Sequence, residues 1–174
     1  EYAERMYRRF VRDLWRFGTM RTVAFATVHR DSTRLLMNLF LEAGMGARVG
    51  KVDMNRNCPE ALCQSVEDAV RDNEALIAEY AKPDALVSPI ITPRFVPSCT
   101  PEMLQACGEL ARKYNLPVQS HLSENRNEIA WVQDLEPESR YYGDAYRRYG
   151  LFGDTPTIMA HCVWTDGDEL ALMR

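Results

Sequence analysis

The chain has 174 residues, of which 46% are hydrophobic and 26% are charged, and its formal net charge is −4 at pH 7. This composition predicts a globular domain with a sizeable core and excludes an intrinsically disordered chain. The sequence has neither a basic block nor an apolar run long enough to span a bilayer, so neither a nucleic-acid polymer nor a membrane is expected as a partner.

Helices and strands are predicted to alternate along the chain. The helical segments are residues 2–17, a helix capped by Asp31-Ser32 that ends near Gly44, and residues 65–81, 101–114, 125–134, 138–149 and from 167 onward. The strand-like apolar runs are residues 20–28, 47–54, 85–91, 118–121 and 157–161. Thr100-Pro101 offers an N-cap followed by a proline at the first helical position.

Strands that are almost continuously apolar and that alternate with helices indicate a parallel sheet. A closed (β/α)8 barrel needs eight strands, and the pattern contains about five. The sequence therefore predicts an α/β fold, an incomplete TIM-type (β/α)8 barrel of about five parallel strands with intervening helices. Residues 1–174 are expected to be the central segment of a single barrel domain whose first and last strands are missing.

The five cysteines, at positions 58, 63, 99, 107 and 162, are odd in number and show no C-x-x-C spacing. This pattern favours reduced, mostly packed thiols of a cytoplasmic protein over a disulfide framework.

All three histidines lie at or just past the ends of strand-like runs. His29 follows residues 22–28, His121 ends the run 118–121, and His161 ends the run 157–161. Active sites of parallel α/β barrels are built at the carboxyl ends of the strands. An imidazole can bind zinc, and Glu124, three residues after His121, can carry a proton without being a ligand. The pattern points to a metal-assisted hydrolase.

Each of these residues also has a structural interpretation. His121 can be a core histidine followed by a helix that Ser123 caps, with Glu124 in its first turn. His161 taken singly can be a buried histidine with a satisfied hydrogen bond. His29 is followed by a charged pair and a helix cap, which favours a structural role.

Arg94 and Phe95 follow the strand-like run 85–91. A guanidinium carries five donors in a planar fork, which beside an aromatic ring suits a planar polar ligand. The alternative for Arg94 is a surface salt bridge.

Five segments together resemble the guanine deaminase family, zinc-dependent enzymes of the amidohydrolase superfamily. They are residues 20–29, 50–54, 92–95, 119–125 and 159–162, in the order and spacing of that family. The H-x-x-E pattern alone suggests only the superfamily. Pro-Arg-Phe at 93–95 together with Ser-His-x-Ser-Glu-Asn at 120–125 narrows the resemblance to guanine deaminases.

The resemblance implies a (β/α)8 barrel, Zn²⁺ as cofactor and hydrolysis of guanine to xanthine and ammonia. It implies His121 as a zinc ligand that also contacts substrate, and Glu124 as a substrate-binding residue that moves a proton from the attacking water to the purine and the leaving ammonia. His161 would hydrogen-bond that water, and Arg94 and Phe95 would bind the purine. A small-molecule substrate, a cytoplasmic location and a homodimer are the corresponding expectations.

The sequence departs from that family in its metal ligands. The family takes further zinc ligands from a histidine-x-histidine segment on the first strand and an aspartate on the eighth, and neither falls within this chain. The 174 residues alone are therefore expected neither to bind zinc tightly nor to deaminate guanine. Three alternatives stay open: another amidohydrolase deaminase of a purine, pyrimidine or triazine, a non-catalytic amidohydrolase-like assembly protein, and a barrel fragment without activity.

Overall fold

The computed structural model describes residues 1–173, and Arg174, at the end of the last predicted helix, lies outside them. The chain divides into two compact units, one formed by residues 1–52 and 71–90 and the other by residues 53–70 and those from 91 onward.

Helices and strands alternate through both units. The helices are α1 (Tyr2–Arg16), α2 (Arg30–Glu42), α3 (Val66–Tyr80), α4 (Pro101–Tyr114), α5 (Arg126–Leu135), α6 (Tyr142–Arg148) and α7 (Gly167–Leu172). The strands are β1 (Arg21–Phe25), β2 (Gly46–Gly50), β3 (Val52–Asp53), β4 (Val87–Pro89), β5 (Thr92–Pro93), β6 (Val118–Leu122) and β7 (Thr157–His161).

The first unit contains a three-stranded sheet in the order β1-β2-β4, in which both strand pairs are parallel. Helix α2 packs its buried residues into the core beside this sheet, whereas α1 contributes Val11, with Tyr7 and Leu14 partly buried against that core. Met37, Phe40 and Met45 have no exposed surface and form the centre of that core. The predicted pairing of parallel strands with helices is confirmed here.

The second unit contains the parallel pair β6-β7. A parallel bridge between Ile91 and Val118 joins the chain before β5 to the start of β6. Thr100 caps α4 by accepting a hydrogen bond from the Met103 amide at 3.4 Å, as predicted. Among residues 1–173 no strand pairing closes a barrel, so the predicted incomplete α/β barrel is confirmed.

Helix α2 begins at Arg30, and the predicted Asp31-Ser32 cap is wrong. His29 is the N-cap residue, with extended backbone and no side-chain capping bond. The helix start is instead held by Thr33, whose hydroxyl donates to the His29 carbonyl at 3.1 Å. Asp31 lies in the first turn, where its charge suits the helix dipole, and contacts Arg30 at 3.2 Å.

Cys58 and Cys63 form a disulfide, so the expectation of reduced thiols is wrong for this pair. The 3₁₀ turn Glu60–Leu62 lies between the two cysteines. It leaves their Cα atoms 6.1 Å apart, within the range that a disulfide bridges. Cys99 and Cys107 are buried free thiols and Cys162 is a partly buried one.

No helix within residues 1–173 combines the length and apolar character that a membrane span requires.

Candidate active site

The rings of His121 and His161 stack at the carboxyl ends of neighbouring strands β6 and β7. Their centroids are 5.4 Å apart and their planes differ by 27°. In the strand register His121 is level with Ala160, and His161 is level with Leu122. Regular strands would therefore direct the two imidazoles to opposite faces of the sheet. The backbone of His161 has a φ of 73°, which breaks that alternation and brings the two rings together.

The Nδ1 atom of His121 lies 2.6 Å from the main-chain oxygen of Arg94. A carbonyl oxygen can only accept, so Nδ1 carries the proton and donates it. In the neutral ring the lone pair is then on Nε2. Histidines that bind metals commonly have this arrangement, with one nitrogen donating to a carbonyl and the other facing the ion.

Glu124 lies two residues beyond the end of β6. Its Oε2 atom is 3.7 Å from Nε2 of His161, and the side chains of Glu124 and His161 are 49% and 38% exposed. The structure thus brings His121, Glu124 and His161 together at the carboxyl ends of β6 and β7.

A buried hydrogen-bond network supports the end of β6. The hydroxyl of Ser120 donates to the Pro93 carbonyl at 2.8 Å and lies 2.7 Å from the phenol oxygen of Tyr146. The Tyr146 hydroxyl in turn lies 2.8 Å from the carbonyl oxygen of His121. Burial raises the pKa of the Tyr146 phenol, so the hydroxyl stays protonated and able to donate.

Arg94 and Phe95 lie together just past β5. The Arg94 guanidinium is exposed and sits 4.8 Å from the centroid of the Phe95 ring, within the range of a cation–π contact. Phe95 also packs edge-on against Trp131, with ring centroids 6.2 Å apart. A planar ligand bound here would meet both an aromatic ring and a fork of hydrogen-bond donors.

Glu128 is a buried carboxyl group that the sequence interpretation did not single out. It is 6% exposed, and burial raises the pKa of its side chain. The charge of Glu124 raises that pKa further, whereas His121 and His161 lower it, so these titratable groups share one electrostatic environment. A local pattern could have indicated Glu128, because Asn125 and Glu128 have the spacing of a capping box.

Helix α5 is capped by Asn125, whose side-chain oxygen accepts from the Glu128 amide at 2.9 Å. The alternative in which Ser123 is the cap is not observed. Ser123 instead donates to the carboxylate of Glu169, and no local sequence pattern indicates that contact. In the first unit His29 is exposed at the start of α2, which agrees with its structural interpretation.

The described residues can supply one part of a metal centre. Residues 1–173 contain no group of three His, Cys, Asp or Glu side chains placed to hold an ion. A catalytic zinc typically has three protein ligands. His121, with its Nδ1 proton fixed on a carbonyl, fits the contribution of a single imidazole ligand to such a centre.

Three comparisons with known proteins place this geometry in context. The model of the amidohydrolase family matches residues 1–174. The chain is 37% identical over 173 residues to a guanine deaminase from Dictyostelium discoideum, and the match covers 99% of this chain and 38% of that protein.

Two solved structures are also similar to this one. A guanine deaminase from C. acetobutylicum with guanine bound in its active site has a TM-score of 0.96 and 48% identity, covering 99% of this chain and 41% of its own. The guanine deaminase of E. coli has a TM-score of 0.93 and 35% identity, covering 99% and 40%. The chain therefore spans about two fifths of the length of the proteins that it matches.

Proposed function

The chain belongs to the amidohydrolase family, and we propose that it is the central part of a zinc-dependent guanine deaminase. The whole protein would hydrolyse guanine to xanthine and ammonia. The hydrogen bond between His121 and the Arg94 backbone carries this proposal, because it joins a metal-binding imidazole to the segment that would bind the purine. The similarity to a deaminase structure that contains guanine supports the choice of substrate.

His121 would hold zinc through Nε2, together with ligands from parts of the barrel outside residues 1–174. Zinc, when bound, lowers the pKa of a coordinated water toward neutrality and so supplies a nucleophile. The hydrogen bond from Nδ1 to Arg94 fixes the tautomer and the orientation of the His121 ring.

Glu124 would act as the proton carrier. A carboxylate in its place can take a proton from water as the water oxygen attacks C2 of guanine. It can pass that proton to ring nitrogen N3, then take the second proton from the new C2 hydroxyl and give it to the amino group, so that the C2–N bond breaks, ammonia leaves and the C2 carbonyl of xanthine forms. His161, whose Nε2 lies 3.7 Å from Glu124, would hydrogen-bond the attacking water and fix its position.

Arg94 and Phe95 would bind the purine. Guanine carries two neighbouring acceptors, O6 and N7, which match two donors of a guanidinium. The Phe95 ring, braced by Trp131, would pack against the base. The cytoplasmic location and the homodimeric state implied by the family resemblance belong to the same proposal.

The decisive experiment compares the complete polypeptide, including the barrel segments on both sides of residues 1–174, with residues 1–174 alone. The intact mass, the zinc content and the conversion of guanine to xanthine are measured for both. We expect about one zinc per complete chain and xanthine production, and neither from residues 1–174 alone.

A panel of other purines, pyrimidines and triazines separates this proposal from its alternatives. Zinc-loaded complete protein that leaves guanine unchanged but deaminates another member of the panel is a different amidohydrolase deaminase. Protein that converts none of them is an amidohydrolase-like protein without this activity. Either outcome removes the guanine deaminase assignment.

A further inference from the structure

We infer that Glu169 is a positioning residue for Glu124, and that it acts through Ser123. The inference concerns a carboxylate that has no part in the proposed chemistry itself. It rests on the proposed function only in giving Glu124 the role of proton carrier.

The carboxylate of Glu169 is buried, with 2% of the residue exposed. It accepts hydrogen bonds from the Ser123 hydroxyl, at 2.9 Å to one oxygen and 3.1 Å to the other. It also accepts from the Gly143 amide at 2.9 Å. These donors offset part of the cost of burying the group, although burial still raises the pKa of the Glu169 carboxyl.

Ser123 is held in an uncommon backbone conformation directly before Glu124. Its φ of 50° lies in the left-handed region, which residues other than glycine seldom adopt because it is sterically strained. Such a conformation persists only where the surroundings impose it. Here the Glu169 carboxylate holds the side chain, and the Trp164 amide donates to the Ser123 carbonyl at 2.9 Å.

Glu169 is itself fixed at the start of α7. Asp166 caps this helix by accepting hydrogen bonds from the amides of Asp168 and Glu169 at 3.0 and 2.9 Å. The capped turn sets the point from which the Glu169 side chain reaches Ser123. Helix α7 is thereby connected to a residue 46 positions earlier in the chain.

The other residues of the proposed site are held by different bonds. His121 is fixed through the Arg94 carbonyl and through Tyr146. Loss of the Glu169 carboxylate therefore releases the turn that carries Glu124 while leaving the metal ligand and the purine-binding residue in place. The expected effect falls on the turnover number, with KM and zinc content unchanged.

The test uses the complete zinc-loaded enzyme with Glu169→Ala, Glu169→Gln and Ser123→Ala. We expect Glu169→Ala to lower kcat about a hundredfold, the loss that a misplacement of about 1 Å can cause. Glu169→Gln should recover most of that loss, because its amide oxygen can accept from Gly143 and its amide group can still pair with Ser123. Asp168→Ala, which removes an exposed carboxylate from the same helix, is the matched control and should leave kcat unchanged.

Two double variants show whether Glu169 acts through the proposed route. Ser123→Ala should lower kcat in the same way, and adding Glu169→Ala to it should have little further effect. Adding Glu169→Ala to Glu124→Gln should also change the residual rate little. If Glu169→Ala lowered the residual rate of Glu124→Gln by the same factor as it lowers the wild-type rate, the positioning role would be overturned. A fall in zinc content would overturn it too.

A readout independent of activity is the hydrogen exchange of the Trp164 amide, which donates to Ser123. Glu169→Ala should accelerate this exchange about tenfold, corresponding to about 1.4 kcal/mol of local stability, whereas Asp168→Ala should not. Unchanged exchange and unchanged kcat in Glu169→Ala would refute the inference. Wild-type enzyme that does not convert guanine would instead refute the proposed function, and the exchange measurement would still decide whether Glu169 anchors the turn. Should Glu169→Ala not fold, Ser123→Ala tests the same hydrogen bond from its other end.

Discussion

The His121 side chain is bonded to the backbone of Arg94 and not to its guanidinium, across 2.6 Å between Nδ1 and the carbonyl oxygen. The proposed metal ligand, His121, and the proposed purine-binding residue, Arg94, are therefore joined through a peptide carbonyl. Any residue at position 94 supplies this carbonyl as long as the backbone keeps its geometry. The side chain of Arg94 can therefore be removed without disturbing the His121 imidazole.

Arg94→Ala in the complete enzyme should therefore raise KM for guanine and leave zinc content unchanged. A bidentate pair between arginine and guanine contributes roughly 1–3 kcal/mol, so the increase in KM should be about tenfold or more. Steady-state kinetics and metal analysis check this. Arg48→Ala, at an exposed arginine on β2, is the control, and an unchanged KM in Arg94→Ala would count against a contact with the base.

Glu124→Gln should abolish most turnover without loss of zinc. Removing a general acid–base group typically lowers a rate by about 10²–10⁴-fold. Glutamine has nearly the same shape but cannot accept the proton, so binding of metal and substrate should persist. Steady-state kcat and zinc content are measured for this variant and for Glu109→Gln, a control at an exposed glutamate. If Glu124→Gln kept its activity, proton transfer would have to be assigned to another group.

Tyr146→Phe should destabilise the protein more than Tyr149→Phe. The Tyr146 hydroxyl is fully buried between Ser120 and the His121 carbonyl, and its loss leaves buried polar atoms unsatisfied at a cost of about 1–3 kcal/mol. The Tyr149 hydroxyl contacts Glu136 at a partly exposed position. Denaturant unfolding of the two variants gives the comparison, and equal losses would show that the Tyr146 network contributes little.

Cys99 should resist alkylation in the native protein up to about pH 9. Burial raises the pKa of its thiol to about 12, so the reactive thiolate is scarce below that pH. The pKa of Cys99 is higher in the folded than in the unfolded chain. The contribution of the protonated thiol to folding stability is therefore complete below the unfolded pKa and is lost as the pH rises toward 12. Mass spectrometry after iodoacetamide treatment should find the partly buried Cys162 modified first, and Cys99 only after unfolding. Equal labelling of the two native thiols would contradict this burial.

The positions of the candidate site residues along the chain could be predicted from the sequence because they depend on local patterns. Apolar runs that end in histidine identify strand ends, and parallel strands bring those ends to one edge. His121 and His161 are neighbours for this reason, although 40 residues separate them. The Thr100 cap was likewise predictable, from the local pair Thr100-Pro101.

The long-range hydrogen bonds that hold the backbone and side chains around the candidate site could not be predicted in this way. Tyr146 reaches the His121 carbonyl from 25 residues away, and Glu169 reaches Ser123 from 46 residues away. Neither contact follows from spacing, because it depends on how α6 and α7 pack in three dimensions. The stacking of the two imidazoles also escaped prediction, since regular strand alternation would have directed them apart.

The backbone at the end of β7 has a practical consequence for attempts to engineer the proposed enzyme for heat tolerance. His161 and Cys162 are consecutive residues with φ values of 73° and 54°, in a region where glycine alone is unstrained. Selection for a higher melting temperature should therefore favour substitutions that relax this turn, Cys162→Gly among them. A substitution that instead returned residue 161 to an extended φ would also gain stability, but at the expense of the proposed catalysis, because this φ turns the His161 ring toward His121.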